Sequence, residues 1–125
     1  MKFRFARHTN NLEKLKTFYS KILCLEILGS FENHNNYNGI FLGKQYLDWH
    51  LEFTESNEIV EFNFNEDDVL VFYPETTVEY DFLIQNISKN NIDYIESKNP
   101  YWSQNGKMIL DTDGYRIIIS NLKAK

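Results

Sequence analysis

Apolar residues recur along this chain in two rhythms, and the two appear twice in the same order. Phe3 to Ala6 reads as a short strand. Leu12, Leu15, Tyr19 and Ile22 then fall at helical spacing on one face, with Lys14, Lys16 and Lys21 pointing elsewhere, and three strand-like runs follow. Past the middle, Val69 to Tyr73 is again a strand, and Tyr80, Leu83, Ile84 and Ile87 supply a second helical stripe before further strands run to Ile119. The pattern predicts an α+β fold made of a β-α-β-β-β module used twice. A ligand is expected in the concave face where two curled half-sheets meet.

Local signals sharpen these elements. Asn10 with Glu13 reads as a capping-box variant opening the first helix, and Thr76 with Glu79, directly after Pro74, repeats the device for the second. Asn90-Asn91 reads as a left-handed helix stop. In the strand from Asp48 to Thr54, Trp49, Leu51 and Phe53 share one face, and His50, Glu52 and Thr54 share the other. Asp113-Gly114 is a hairpin turn between Leu110 and Tyr115. The acidic, Asn-broken stretch from Glu55 to Asp67 reads as a linker, so one domain is expected with modules at about 1–54 and 68–125.

Composition narrows the classes. A chain of 125 residues with 42% hydrophobic and 16% aromatic content buries a real core, and disorder is excluded. A net charge of −5 without a Lys/Arg cluster argues against a nucleic-acid surface. Cys24 is alone, so no internal disulfide forms, and no apolar run is long enough for a membrane span. A cytoplasmic protein is the expectation. Gly29, Gly39 and Gly43 are scattered rather than gathered in a phosphate loop, and no Gly-x-Ser-x-Gly elbow occurs. His8 and His34 stand apart from other chemistry, Tyr37, Trp49, Tyr101 and Trp102 read as core in preference to pocket lining, and Cys24 reads as inert.

The run Leu12…Phe18-Tyr19…Ile22-Leu23-Cys24-Leu25-Glu26 resembles the opening of the vicinal oxygen chelate superfamily, which includes glyoxalase I, bleomycin-resistance proteins and extradiol dioxygenases. His50-Leu51-Glu52-Phe53-Thr54 resembles its end-of-module strand, and Asp111-Thr112-Asp113-Gly114-Tyr115-Arg116-Ile117-Ile118 its closing hairpin. The likeness covers nearly the whole chain. Cys24 stands where the family has Gly; a positive φ there costs a non-Gly residue roughly 1 kcal/mol.

The resemblance implies a cup-shaped mixed sheet whose modules each give two inward-pointing residues to a divalent metal. Offsets from the matched motifs put those positions at Arg4, Glu52, Asp68 and Ile118. Arg4 has no lone pair to give and Ile118 has no donor atom. An organic cation in place of the metal is therefore expected, Arg4 satisfying Glu52 and Asp68, with His50 lining the same cavity.

Several readings stay open. The first is a glyoxalase/bleomycin-resistance-like protein that binds a small organic molecule through Arg4, His50, Glu52 and Asp68, without metal or other cofactor; the bleomycin-resistance branch implies a homodimer. The alternative is a metal-dependent lyase or dioxygenase holding a divalent metal ion with His50, Glu52 and Asp68. A third is an interaction module with no small ligand. Against all of these stands an Arg4 that makes an ordinary surface pair, and a His50 that is purely structural.

Overall fold

The computed structural model describes residues 1–123, and the chain divides into two compact units, Met1–Phe62 and Asn63–Lys125. The first contains β1 (Phe3–His8), α1 (Leu12–Lys21), β2 (Glu26–His34), β3 (Tyr37–Gly43) and β4 (Trp49–Glu55). The second contains β5 (Val69–Phe72), α2 (Thr77–Lys89), α3 (Pro100–Asn105), β6 (Gly106–Leu110) and β7 (Arg116–Ser120). No helix among the described residues is long and apolar enough to cross a membrane.

In the first unit the strand order is β1-β4-β3-β2. β1 runs parallel to β4, and β3 is antiparallel to both β4 and β2. The alternation in β4 sorts its faces as the sequence predicts. Leu51 and Phe53 are buried with Ile40 and Leu42 of β3, beneath Leu15, Phe18, Tyr19 and Ile22 from the first helix. Tyr19 packs on Phe53 with ring centroids 4.8 Å apart. Burial of each such side chain contributes about 1.5–3 kcal/mol, so this face anchors the unit.

The entry to α1 differs from expectation. Asn11, not Asn10, caps the helix, its Oδ1 accepting from the Lys14 N–H at 3.1 Å. Asn10 instead clasps the segment after β4. Its Nδ2 donates to the Val60 carbonyl at 2.7 Å, and its Oδ1 accepts from the Val60 N–H at 2.8 Å. A side-chain amide thereby substitutes for a strand neighbour, because this stretch lacks a backbone ladder of its own. At the other end of the helix Cys24 has φ +59°, the left-handed conformation that favours Gly.

The second unit has the sheet order β5-β7-β6, with β5 parallel and β6 antiparallel to β7. Ile117, Ile118 and Ile119 of β7 are fully buried with Ile109, Leu83 and Ile87. Thr76 caps α2 through the Glu79 N–H at 3.0 Å, as predicted, but the Glu79 carboxylate accepts from the Glu75 N–H rather than closing on the cap. Asn91 has φ +56°, and the bonds Ile92 N→Ile87 O and Asn91 N→Ser88 O complete a Schellman motif. Gly114, at φ +86°, turns the β6–β7 hairpin. Asp111 Oδ1 holds that turn by accepting from the Asp113 and Tyr115 amides.

The expected middle strand of the second module is reduced to one bridge, Ile95 to Met108. The α3 helix takes up the chain instead, with Asn99 as its cap and Pro100 in its first turn, a pairing that starts a helix and cannot donate to a ladder.

Candidate functional site

The face of the first half-sheet turned away from α1 carries the chemistry. Register decides its membership: Arg4 lies opposite His50, and Ala6 opposite Glu52. From β3, Gly43 lies opposite His50, Phe41 opposite Glu52, and Gly39 opposite Thr54. Directly opposed residues project to the same side of a sheet.

Arg4 is the hub of this face. Its Nε donates to His50 Nε2 at 2.9 Å, and its Nη1 donates to Glu52 Oε1 at 3.3 Å. Its guanidinium also lies over the Phe41 ring, 4.9 Å from the centroid. A guanidinium keeps its protons, so Nε2 of His50 must offer a lone pair and Nδ1 must hold the ring hydrogen. The His50 ring meets the Phe41 edge at 5.7 Å. The Arg4 side chain is 50% exposed and that of Glu52 only 13%, so the cation, not the carboxylate, faces outward.

Two aromatic rings extend the face. Phe31 lies 5.9 Å from Phe41. It rests on the bare backbone of Gly39, where a Cβ would stand 2.2 Å from Phe31 Cζ. The alternation Gly39, Phe41, Gly43 along β3 is the sequence signal for this floor, and it differs from a scatter of unrelated glycines only once strand register is known.

A second cluster lies at the end of β1. His8 Nδ1 is 2.7 Å from Thr54 Oγ1, and His8 Nε2 is 3.2 Å from Ser56 Oγ. Tyr37 meets the His8 ring edge-on at 5.7 Å. His8 is thus gathered into a network, contrary to the sequence reading, because its partners lie some 46 to 48 residues away. His34 packs against Phe31 at 6.1 Å. Tyr37 and Tyr101, read as core, are 46% and 45% exposed.

The remaining predicted positions belong to the second unit. Asp68 is exposed just ahead of β5, its amide donating to the Asn65 carbonyl at 3.0 Å. Ile118 is a fully buried core residue opposite Val71 and Met108. This unit also holds an open cleft of about 350 Å³ between the start of α2 and the end of β7, lined by Pro74, Thr76, Tyr80, Asp81, Ser120 and Leu122. Burial, reinforced by Asp81, pushes the Tyr80 hydroxyl pKa up, and burial followed by Tyr80 does the same to Tyr94. None of the four predicted residues lines that cleft.

The donor set does not fit the divalent metal that the fold implies. The lone pair of His50 Nε2 and the Oε1 of Glu52 are both engaged by Arg4, and neither Arg4 nor Ile118 is a ligand. Within each unit, no group of three or more His, Cys, Asp or Glu among the described residues is arranged to hold a metal.

A four-stranded half-sheet with one helix against it, followed by a second β-α module ending in the Asp-Gly hairpin, defines the class: glyoxalase/bleomycin-resistance proteins of the vicinal oxygen chelate superfamily. The trypanothione-dependent glyoxalase I of Leishmania major superposes with a TM-score of 0.71 over 94% of this chain and 84% of that one, at 20% identity. The sequence is more specific. Family models described as the YycE-like N-terminal domain and the YycE-like C-terminal domain match residues 3–54 and 67–121. The chain belongs to the YycE-like family. It is 39% identical over 124 residues to the uncharacterised protein YycE of Bacillus subtilis (strain 168), across 96% of this chain and 87% of the relative. The crystal structure of a Bacillus subtilis YycE protein, whose description groups it, with function unknown, with glyoxalase and fosfomycin resistance proteins, superposes with a TM-score of 0.87. It shares 36% identity over 99% of this chain and 91% of that one.

Proposed function

We propose that the protein binds a small organic ligand on the open face of the N-terminal half-sheet, with the Arg4 guanidinium standing where metal-dependent members of the superfamily hold an ion. The observation that carries this reading is the Arg4 Nε to His50 Nε2 hydrogen bond at 2.9 Å. It commits the imidazole to accepting from a permanent cation, which is incompatible with the same lone pair binding a metal. Glu52, largely shielded, finds its counter-charge in Arg4 and needs no ion.

Arg4 holds the protein through Nε and Nη1 and leaves Nη2 for a ligand, while Phe41 and Phe31 offer apolar contact beside it. Binding, with or without a subsequent reaction, and association as a homodimer both belong to this reading.

Elemental mass spectrometry on untagged protein, repeated with Glu52→Ala, is the test. Metal-free protein supports the proposal. Near-stoichiometric metal that disappears in Glu52→Ala overturns it in favour of a metal-dependent lyase or dioxygenase. Asp68→Asn belongs beside it, since loss of the metal there would add the second unit's carboxylate to the ligand set.

A further inference from the structure

Resting on that reading, we infer that the ligand is a planar, apolar anion: an aromatic or conjugated carboxylate, or an oxyanion of the same shape. The donor inventory of the site carries the argument. A guanidinium has five N–H donors. In Arg4 one Nε hydrogen serves His50 and one Nη1 hydrogen serves Glu52, which leaves three on the Nη1/Nη2 end. His50, accepting at Nε2, carries its hydrogen on Nδ1. These groups are all donors, so a ligand complementary to them supplies acceptors.

Charge and exposure select the sign. A cationic ligand would have to reach Glu52, whose side chain is only 13% exposed and whose Oε1 is held by Arg4. An anion meets Arg4 directly, at a side chain 50% exposed. Nη2 keeps both of its hydrogens and Nη1 keeps one, and paired Nη1/Nη2 donors match a carboxylate in two parallel hydrogen bonds. The bonds to His50 and Glu52 hold the guanidinium in orientation beforehand, so less rotamer freedom is lost on binding.

Shape follows from the floor. Phe41 lies under the guanidinium at 4.9 Å, and Phe31, tilted against Phe41 with centroids 5.9 Å apart, sets the far edge of its ring against Gly39. Both rings are only partly buried. An oxyanion seated on Arg4 therefore has its body beside two partly buried aromatic rings, where a flat apolar group gains contact. A small hydrophilic anion would use the Arg4 donors alone.

The test titrates the intact protein with 2-naphthoate, 2-naphthylmethylammonium and acetate. It follows the Arg4 Nε resonance, the Phe41 ring resonances and the dissociation constants. Naphthoate is expected to move both sets of signals and to bind at least tenfold more tightly than acetate or the ammonium probe. Arg4→Gln should weaken naphthoate at least tenfold and Phe41→Leu several-fold, with the remaining amide spectrum preserved. If the ammonium probe moves the same signals and binds as tightly, the anion assignment is overturned while the open-face site stands. Acetate equal to naphthoate, or an unaffected Phe41→Leu, overturns the planar apolar part. If no probe moves the Arg4 resonance, the assignment and the site reading fail together.

Discussion

Arg4 and His50 are directly opposed residues on a parallel strand pair, and the guanidinium Nε donates to the imidazole Nε2 across that pair at 2.9 Å. Parallel strands separated by a helix and two further strands thus bring residue 4 onto residue 50 with a donor facing a lone pair. The Glu52 bond and the Phe41 ring complete the setting. The local chemistry is an organic cation held by a neutral ring, a carboxylate and a π face.

Arg4→Gln should separate binding from folding. Because Arg4 is half-exposed, its ion pair contributes at most about 1 kcal/mol to stability. Thermal unfolding should shift by only a few degrees while naphthoate binding weakens at least tenfold. A collapse of stability in the variant would instead identify Arg4 as a structural residue.

Arg4→His should convert the site. It places a third potential donor beside His50 and Glu52 and frees the lone pairs that Arg4 engages. Zn or Ni is then expected to raise the melting temperature of the variant and not that of the native protein. Stabilisation reaches about 2.7 kcal/mol at a hundredfold excess over the dissociation constant. Equal shifts in both proteins would contradict the account of Arg4.

Cys24→Gly should stabilise the protein. Cys24 holds φ +59°, and relief of that conformation is worth roughly 1 kcal/mol, or about 3–5 °C in melting temperature. Calorimetry on the two proteins measures it directly, and a destabilised variant would show that the thiol's contacts outweigh the backbone term.

Gly106→Ala should cost more than Gly39→Ala. At 106 the new Cβ would sit 2.7 Å from the Ile119 carbonyl oxygen and 2.9 Å from Ile118 Cγ2, inside the β6–β7 ladder; overpacking against backbone costs about 1–3 kcal/mol. At 39 the obstacle is the tip of the Phe31 ring, which can swing away. Denaturant melts should rank the two variants in that order, and only Gly39→Ala should alter the Phe31 resonances.

Asn10→Ala should loosen the segment around Val60. Both hydrogen bonds of the clasp disappear, at about 0.5–1.5 kcal/mol each. Hydrogen exchange at the Val60 amide should accelerate by an order of magnitude or more, with α1 amides unchanged. Faster exchange in α1 would mean that Asn10 supports the helix cap after all.

Local pattern was sufficient for much of this protein. Helical spacing placed α1 and α2, period-two alternation put His50 and Glu52 on the face opposite Leu51 and Phe53, and turn chemistry located Asn91 and Gly114. Resemblance supplied the fold family, and with it the expectation that residues 4 and 52 share a site. Each of these rests on side chains a few positions apart, or on motifs that survive as strings.

Tertiary structure decided what depends on distant partners. Asn10 and Asn11 are chemically identical candidates for a cap, and only the presence of Val60 fifty residues away assigns one to each task. The segment around Ile95 has strand-like residues, but the start of α3 at Asn99-Pro100 leaves it a single bridge. His8 looked isolated until β1–β4 register carried Thr54 and Ser56 to its two nitrogens. Charge type at position 4 was legible in the sequence. That its Nε faces a histidine lone pair while its side chain stays half exposed follows from strand register and side-chain packing, which a linear pattern does not encode.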